Sequence, residues 1–342
     1  MTNFSAYDAV FGNEALKKAF SGFTEKSAFP NSVIISGRRG SGKLTFARLE
    51  AMSVSCRNEK KPCLECESCR KIAADISPDV ILVSAQKDRK TIGIEAVRNI
   101  RESAYIAPND LSSKFYIIKD ADTMTVQAQN ALLKLFEEPP ANVYFILLCS
   151  SATGLLPTVR SRAPELRTEL FGDENMRELL ITHSSKAKEL YASDRDGFEK
   201  VLRLAGGSYG EALRLIGVSD KKMFAFFSSV VRVIDALSRG NRDDFLLAIL
   251  EEAYTRDNLV RLFELMLAAI RDMTAAKKLR GEFELMFYSD ISSARFASAP
   301  FTLKGLLDIC SVLQEAQAQV SDINVNVQTA ALVFADKLWN VK

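Results

Sequence analysis

The residues best able to do chemistry lie in two short arrays. Gly37-Arg38-Arg39-Gly40-Ser41-Gly42-Lys43-Leu44-Thr45 contains the G-x4-G-K spacing of a phosphate loop. Glycines at this spacing let backbone N–H groups turn onto phosphate oxygens, and a following helix adds the positive end of its dipole. Lys43 would reach the β- and γ-phosphates. Gly37, Gly40, Ser41, Gly42, Lys43, Leu44 and Thr45 are therefore the candidate nucleotide-binding residues, with ATP or ADP as the expected ligand. A glycine loop that holds nothing is the alternative. The second array is Cys56, Cys63, Cys66 and Cys69, spaced C-x6-C-x2-C-x2-C. Two-residue gaps aim consecutive thiolates at one ion, and four thiolates suit a structural Zn²⁺ with no open position for a catalytic water. An iron–sulfur cluster is the rival, but the usual downstream Cys-Pro is missing.

The phosphate loop departs from what ATP hydrolysis needs. The residue after the lysine should be Ser or Thr, whose hydroxyl holds Mg²⁺. Here it is Leu44, and Thr45 lies about 100° further around the helix. The second half of such a site is an apolar strand ending in adjacent carboxylates. Tyr116-Ile117-Ile118-Lys119-Asp120-Ala121-Asp122 supplies one carboxylate where two are needed, in either register. The expectation is weak or static nucleotide binding without turnover, with Mg²⁺ poorly served. Lys119 either replaces the missing metal charge or is a solvated lysine at a strand end. Cys149 and Cys310 lie in apolar stretches and read as buried, inert thiols. His183, the single histidine, sits in a polar stretch and reads as solvated, which removes Ser-His-Asp and Cys-His schemes unless it is their base.

Elements that position these residues are visible as apolar runs. Ser32–Ile35, Asp79–Val83, Phe115–Ile118 and Val143–Leu148 read as strands, and their continuous apolarity predicts a parallel sheet covered on both faces. Helical patterns at Lys43–Val54, Ile94–Ser103 and Gln127–Phe136 alternate with them, and Glu137-Glu138-Pro139-Pro140 reads as a helix stopped by proline. Short helices at Glu174–Ile181, Gly197–Leu204 and Glu211–Ile216 follow, split by Gly206-Gly207, and from Lys221 onward the 3.6-residue period dominates. A length of 342 residues predicts two or three domains, and 47% hydrophobic with 26% charged residues excludes collagen-like and largely disordered chains. The net charge of +2 excludes a general polycation, so any DNA contact comes from a local patch or from partner subunits. No apolar run approaches about 18 residues, and the chain is read as cytoplasmic, with no membrane partner.

Several stretches together resemble bacterial clamp-loader AAA+ subunits. They are Phe11-Gly12-Asn13-Glu14, the run Asn130–Pro140, Ser161-Arg162 after Leu155–Arg160, and the four-cysteine insert. Asn324-Val325-Asn326-Val327 resembles a late helix of the family more loosely. The resemblance implies an α/β AAA+ P-loop domain with a parallel sheet and zinc insert (1–169, cysteine module 56–69), a small helical lid domain (170–218) and an all-α collar domain (219–342). It implies that Ser161-Arg162 carries an arginine finger into a neighbour's ATP site; a helix-capping Arg162 is the alternative. Arg98 matches a position that tracks the DNA backbone, or else is an exposed helix charge. Motor subunits (gamma/tau) keep the metal-binding pair and a sensor arginine, in whose place this chain has Gly210. Loss of all three features resembles the delta-prime branch, whose implied partners are gamma/tau, delta, primer-template DNA and, indirectly, the sliding clamp. An active gamma-like motor and a zinc-stabilised DNA-binding module remain the alternatives.

Overall fold

Residues 7, 10, 12–26, 28–85, 91–217, 220–253, 255–281, 283–320 and 326–341 are described by the computed structural model. Phe11, Asn324 and Val325 of the resemblance motifs lie outside these residues. Two compact units are formed, Met1–Phe171 with Ser208–Gly210, and Gly172–Gly207 with Glu211–Lys342.

In the first unit the order is α1 (Glu14–Lys26), β1 (Ser32–Ser36), α2 (Lys43–Ser55), α3 (Glu67–Ala73), β2 (Val80–Val83), α4 (Ile94–Ala104), β3 (Lys114–Ile118), α5 (Val126–Glu137), β4 (Val143–Cys149), α6 (Pro157–Arg160) and β5 (Glu165–Arg167). The strands form one sheet in the order β2-β3-β4-β1-β5, and every pair is parallel. β1 and β3 are buried at every residue, as their unbroken apolar runs predict. Alternation then sorts their side chains onto two faces. Ile34, Tyr116, Ile118, Phe145 and Leu147 pack with α4 and α5. Val33, Ile35, Phe115, Ile117, Ile146 and Leu148 pack with α1, α2 and α3. Pairing of Ser36 with Cys149 and of Ile118 with Leu147 brings the carboxyl ends of β1, β3 and β4 to one edge. Ligands of open parallel sheets bind outside that edge.

Asp79 ties the loop before β3 to the sheet. Its carboxylate accepts the amides of Asn109 (2.8 Å), Asp110 (2.6 Å) and Leu111 (2.8 Å). Burial alone would raise its pKa, but these donors more than offset that and hold it below the usual range.

The second unit contains α7 (Asp173–His183), α8 (Ser185–Ser193), α9 (Arg195–Ala205), most of α10 (Tyr209–Gly217), and then α11 (Asp220–Arg239), α12 (Arg242–Glu252), α13 (Arg256–Lys278), α14 (Ile291–Ser298), α15 (Leu303–Val320) and α16 (Val327–Asn340). Side chains of Ser184, Asp194, Asn241, Thr255, Asp290 and Asn326 each accept an amide of the first turn that follows, the usual solution for otherwise unpaired N–H groups. Gly206 ends α9 in the left-handed conformation, φ 50°. α13 is the core helix and packs against α11, α12, α14, α15 and α16. No single helix among the described residues is long and apolar enough to cross a membrane.

Candidate nucleotide and metal sites

β1 delivers the chain directly into the glycine loop, and α2 begins at Lys43. Gly37, Gly40 and Gly42 have φ of 147°, 76° and 92°, backbone that side chains avoid. At Gly37 a Cβ would also fall 1.9 Å from Thr168 Oγ1. Ser41 is buried; its hydroxyl donates to the Arg38 carbonyl (2.7 Å) and lies 2.6 Å from the Thr168 hydroxyl.

Lys43 turns back on its own loop, donating to the carbonyls of Gly37 and, at 2.9 Å, Arg38. Burial lowers its pKa, opposed by Cys149, Asp120 and Asp122 nearby. Leu44 is half-buried and packs against the apolar cluster beneath α2, and Thr45 is exposed to solvent. The loop therefore presents no hydroxyl where Mg²⁺ would need one, as the helical angle predicts. After β3, Asp120 sits exposed at φ 51°. Asp122 accepts the Ser150 amide at 3.0 Å, and its Cβ lies 2.8 Å from where a Cβ on Gly154 would stand. One carboxylate is thus spent on the backbone of a neighbouring loop. Of the two carboxylates, Asp120 is the one left exposed for a cation, and position 44 offers no hydroxyl to complete the set. Lys119 bonds through its amide to the Val83 carbonyl (2.7 Å), and it is only half-buried at the strand end.

Gly210, which sequence reading connected only with a missing arginine, and Ser208 are part of the loop's support. The Ser208 hydroxyl donates to the Arg39 carbonyl at 2.6 Å, and the Gly210 amide donates to the Gly40 carbonyl at 2.9 Å. A Cβ on Gly210 would lie 2.8 Å from that carbonyl oxygen and 2.9 Å from Gly40 Cα. Arginine at this position would clash before its guanidinium reached anything. Thr168 and Ser208 carried no signal in the sequence, and Glu137 only that of a helix end, because their partners are remote along the chain.

Arg162 follows the short helix α6. Its guanidinium donates to the Thr158 carbonyl (3.0 Å) and the Ser161 hydroxyl (3.3 Å), and it is ion-paired with Glu137 at the end of α5. The Ser161 hydroxyl in turn donates to the same Thr158 carbonyl (3.1 Å). Arg98 is exposed on α4 and paired with Glu95 one turn away. The structure does not bring Arg98 and Arg162 into one cluster with the phosphate loop through any contact among the described residues.

Cys56 caps the end of α2, Cys66 precedes α3 and Cys69 lies within it, with Cys63 on the intervening loop. The four sulfurs lie within 4.8 Å of one another, and Cys63 and Cys69 are 4.0 Å apart. Tetrahedral ligation at the Zn–S bond length of about 2.3 Å places sulfurs about 3.8 Å apart, so the set fits a single zinc ion. A cluster of several irons interposes its own sulfides and spreads its cysteines further. Burial would raise the Cys63 thiol, but the amides of Cys66 and Glu65 and the neighbouring thiols bring it down to about 6. Burial pushes Cys56 and Cys69 up. Four thiols converging this closely are suited to hold one metal ion. Cys149 is buried, with its pKa raised to about 12 by that burial. Cys310 departs from expectation in being only half-buried, and His183 is exposed at the end of α7.

Residues 12–170 match the family described as DNA polymerase III, delta subunit. DNA polymerase III subunit gamma of Buchnera aphidicola subsp. Schizaphis graminum is 29% identical over 213 residues, covering 62% of this chain and 57% of the relative. DNA polymerase III subunit tau of Bacillus subtilis is 28% identical over 236 residues, covering 68% and 40%. The chain spans about half the length of the curated relatives it matches. A DNA polymerase III gamma subunit-related protein of Thermotoga maritima is similar in structure over 94% of this chain and 99% of its own, with a TM-score of 0.47 at 16% identity. The Bacillus subtilis clamp loader delta protein gives 0.34 at 12% identity, over 94% and 99%. Residues 12–170 are thus similar to the DNA polymerase III delta subunit family, and about two thirds of the chain is similar to gamma and tau subunits.

Proposed function

We propose that the protein is a delta-prime-like clamp-loader subunit that does not hydrolyse ATP itself and lends Arg162 to the ATP site of a neighbouring subunit. The observation that carries this reading is the loss of catalytic groups: Leu44 stands half-buried against the apolar cluster where a metal-binding hydroxyl is needed, and Asp122 holds the Ser150 amide. Arg162, by contrast, is held at the surface with its guanidinium partly exposed. A guanidinium set against developing charge on a γ-phosphate is worth about 10³–10⁵ in rate when another subunit supplies it. The proposed partners are gamma/tau and delta subunits, primer-template DNA within the assembly with Arg98 at its backbone, and the sliding clamp indirectly. The division into 1–169, 170–218 and 219–342 belongs to the same proposal. So does a structural zinc on Cys56, Cys63, Cys66 and Cys69, which would join the end of α2 to α3 without taking part in chemistry.

Identity to gamma and tau subunits favours a second reading, a motor of the same family. ATP turnover by the purified chain separates the two, since a motor loses that turnover on Lys43→Ala. The finger itself is tested by reconstitution with a motor subunit and comparison of DNA-stimulated ATPase with wild-type and Arg162→Ala chains. The expected result is a loss of at least about 10³-fold at the partnered site, and an unchanged rate removes the finger role.

A further inference from the structure

We propose that Glu137 is a resting latch for Arg162: it holds the guanidinium on its own subunit until the phosphates of a neighbour's nucleotide displace it. This inference rests on the finger role proposed above.

Glu137 is the last residue of α5, where the helix dipole presents its negative end, and Glu138 follows it. A carboxylate there gains nothing from its own helix. Its only bonded cation among the described residues is Arg162, whose second nitrogen is fixed independently by the Thr158 carbonyl and the Ser161 hydroxyl. The guanidinium is thus oriented by two groups that do not compete with phosphate and covered by one that does. Arg162 is 35% exposed and Glu137 48%, so the pair is solvent-screened and weak. A triphosphate offers the same fork geometry to a guanidinium with more negative charge than a single carboxylate. Exchange of Glu137 for a phosphate oxygen then frees the arginine without disturbing its other two bonds, and the latch sets the nucleotide level at which the neighbour's site is completed.

The experiment uses the assembly reconstituted with motor subunits and follows ATPase against ATP concentration for wild-type, Glu137→Gln, Glu137→Asp, Arg162→Ala and the Glu137→Gln/Arg162→Ala double variant. Removing the charge while keeping the shape should raise kcat/KM by about two- to five-fold, the range an exposed ion pair supplies, chiefly through a lower KM. Glu137→Asp should restore the wild-type profile, and Glu137→Gln should have no effect once Arg162 is alanine. An unchanged or lower kcat/KM in Glu137→Gln, with Arg162→Ala still severely impaired, overturns the latch and leaves the finger standing. No loss in Arg162→Ala alone overturns the finger, and the latch with it.

Discussion

Glu50 makes the sharpest test of how α2, the helix that begins at the phosphate loop, is held. It is fully buried in the middle of that helix, and neither carboxylate oxygen has a hydrogen-bond partner. Burial raises its pKa from the ordinary 4.5 to about 8. A tenfold change in proton affinity is about 1.4 kcal/mol, so this displacement corresponds to about 5 kcal/mol. That is a ceiling, because water entering beside an ionised carboxylate lowers its cost. Between pH 4.5 and 8 the folded chain keeps a proton that the unfolded chain has released, so stability falls as pH rises. The contribution is complete below pH 4.5 and gone above pH 8. Tyr7 and Tyr144 are the titratable neighbours; burial raises both, so neither changes charge in this window. Glu50→Gln removes the titration and keeps the volume. Urea unfolding of both proteins at pH 5, 6, 7 and 8 should show the wild type losing ground steadily to the variant, and subtracting one curve from the other cancels every titration they share. Parallel curves across the range would refute the claim that Glu50 is folded into the core as the neutral acid.

Three further outcomes follow from the local geometry. Removing one sulfur with Cys69→Ser, or stripping metal with a chelator, should abolish stoichiometric zinc in metal analysis and lower Tm by about 10 °C, since several kcal/mol are lost at about 2–4 °C each. Gly210→Ala should cost about 1–3 kcal/mol by crowding and speed amide exchange across residues 37–42. Gly22→Ala, in the middle of α1 with open space around it, should instead gain about 0.5–1 kcal/mol.

How much of this was legible depended on whether a residue's partner lay nearby in the chain. β1, β3 and β4 were readable because central parallel strands are apolar throughout, with no alternation to decode. β5 was not, since Glu165-Leu166-Arg167 is short, charged and at the sheet edge, where burial imposes no pattern. α3 was hidden inside the cysteine insert and α8 in a polar stretch, and only their termini differ from loop composition. The phosphate loop and the cysteine array were legible because their chemistry is written in spacing. Thr168, which fills the space beside Gly37, lies 127 residues from its bonded partner Ser41. Glu137 was read as part of a proline-stopped helix end, which it is; its pairing with Arg162 depends on two elements meeting in space. Glu50 was passed over because a charged residue in a helix reads as solvent-facing, and α2 is buried on nearly every side.

Three positions around the phosphate loop each carry a structural contact of their own, and the proposed lack of turnover rests on them. Leu44 packs half-buried against the cluster under α2, so a hydroxyl placed there gives up part of that apolar contact. Gly210 lies against the Gly40 backbone, so an arginine introduced there must first move the loop it would serve. Asp122 cannot turn toward a metal without abandoning the Ser150 amide. Each position that a motor uses for chemistry has here a separate structural contact. On this reading a single restoring substitution gives no turnover. Arg162 stands apart because its bonds are made at the surface, to Thr158, Ser161 and Glu137. Losing it disturbs no core cluster, so a defect in Arg162→Ala reports on what the side chain does outside its own subunit.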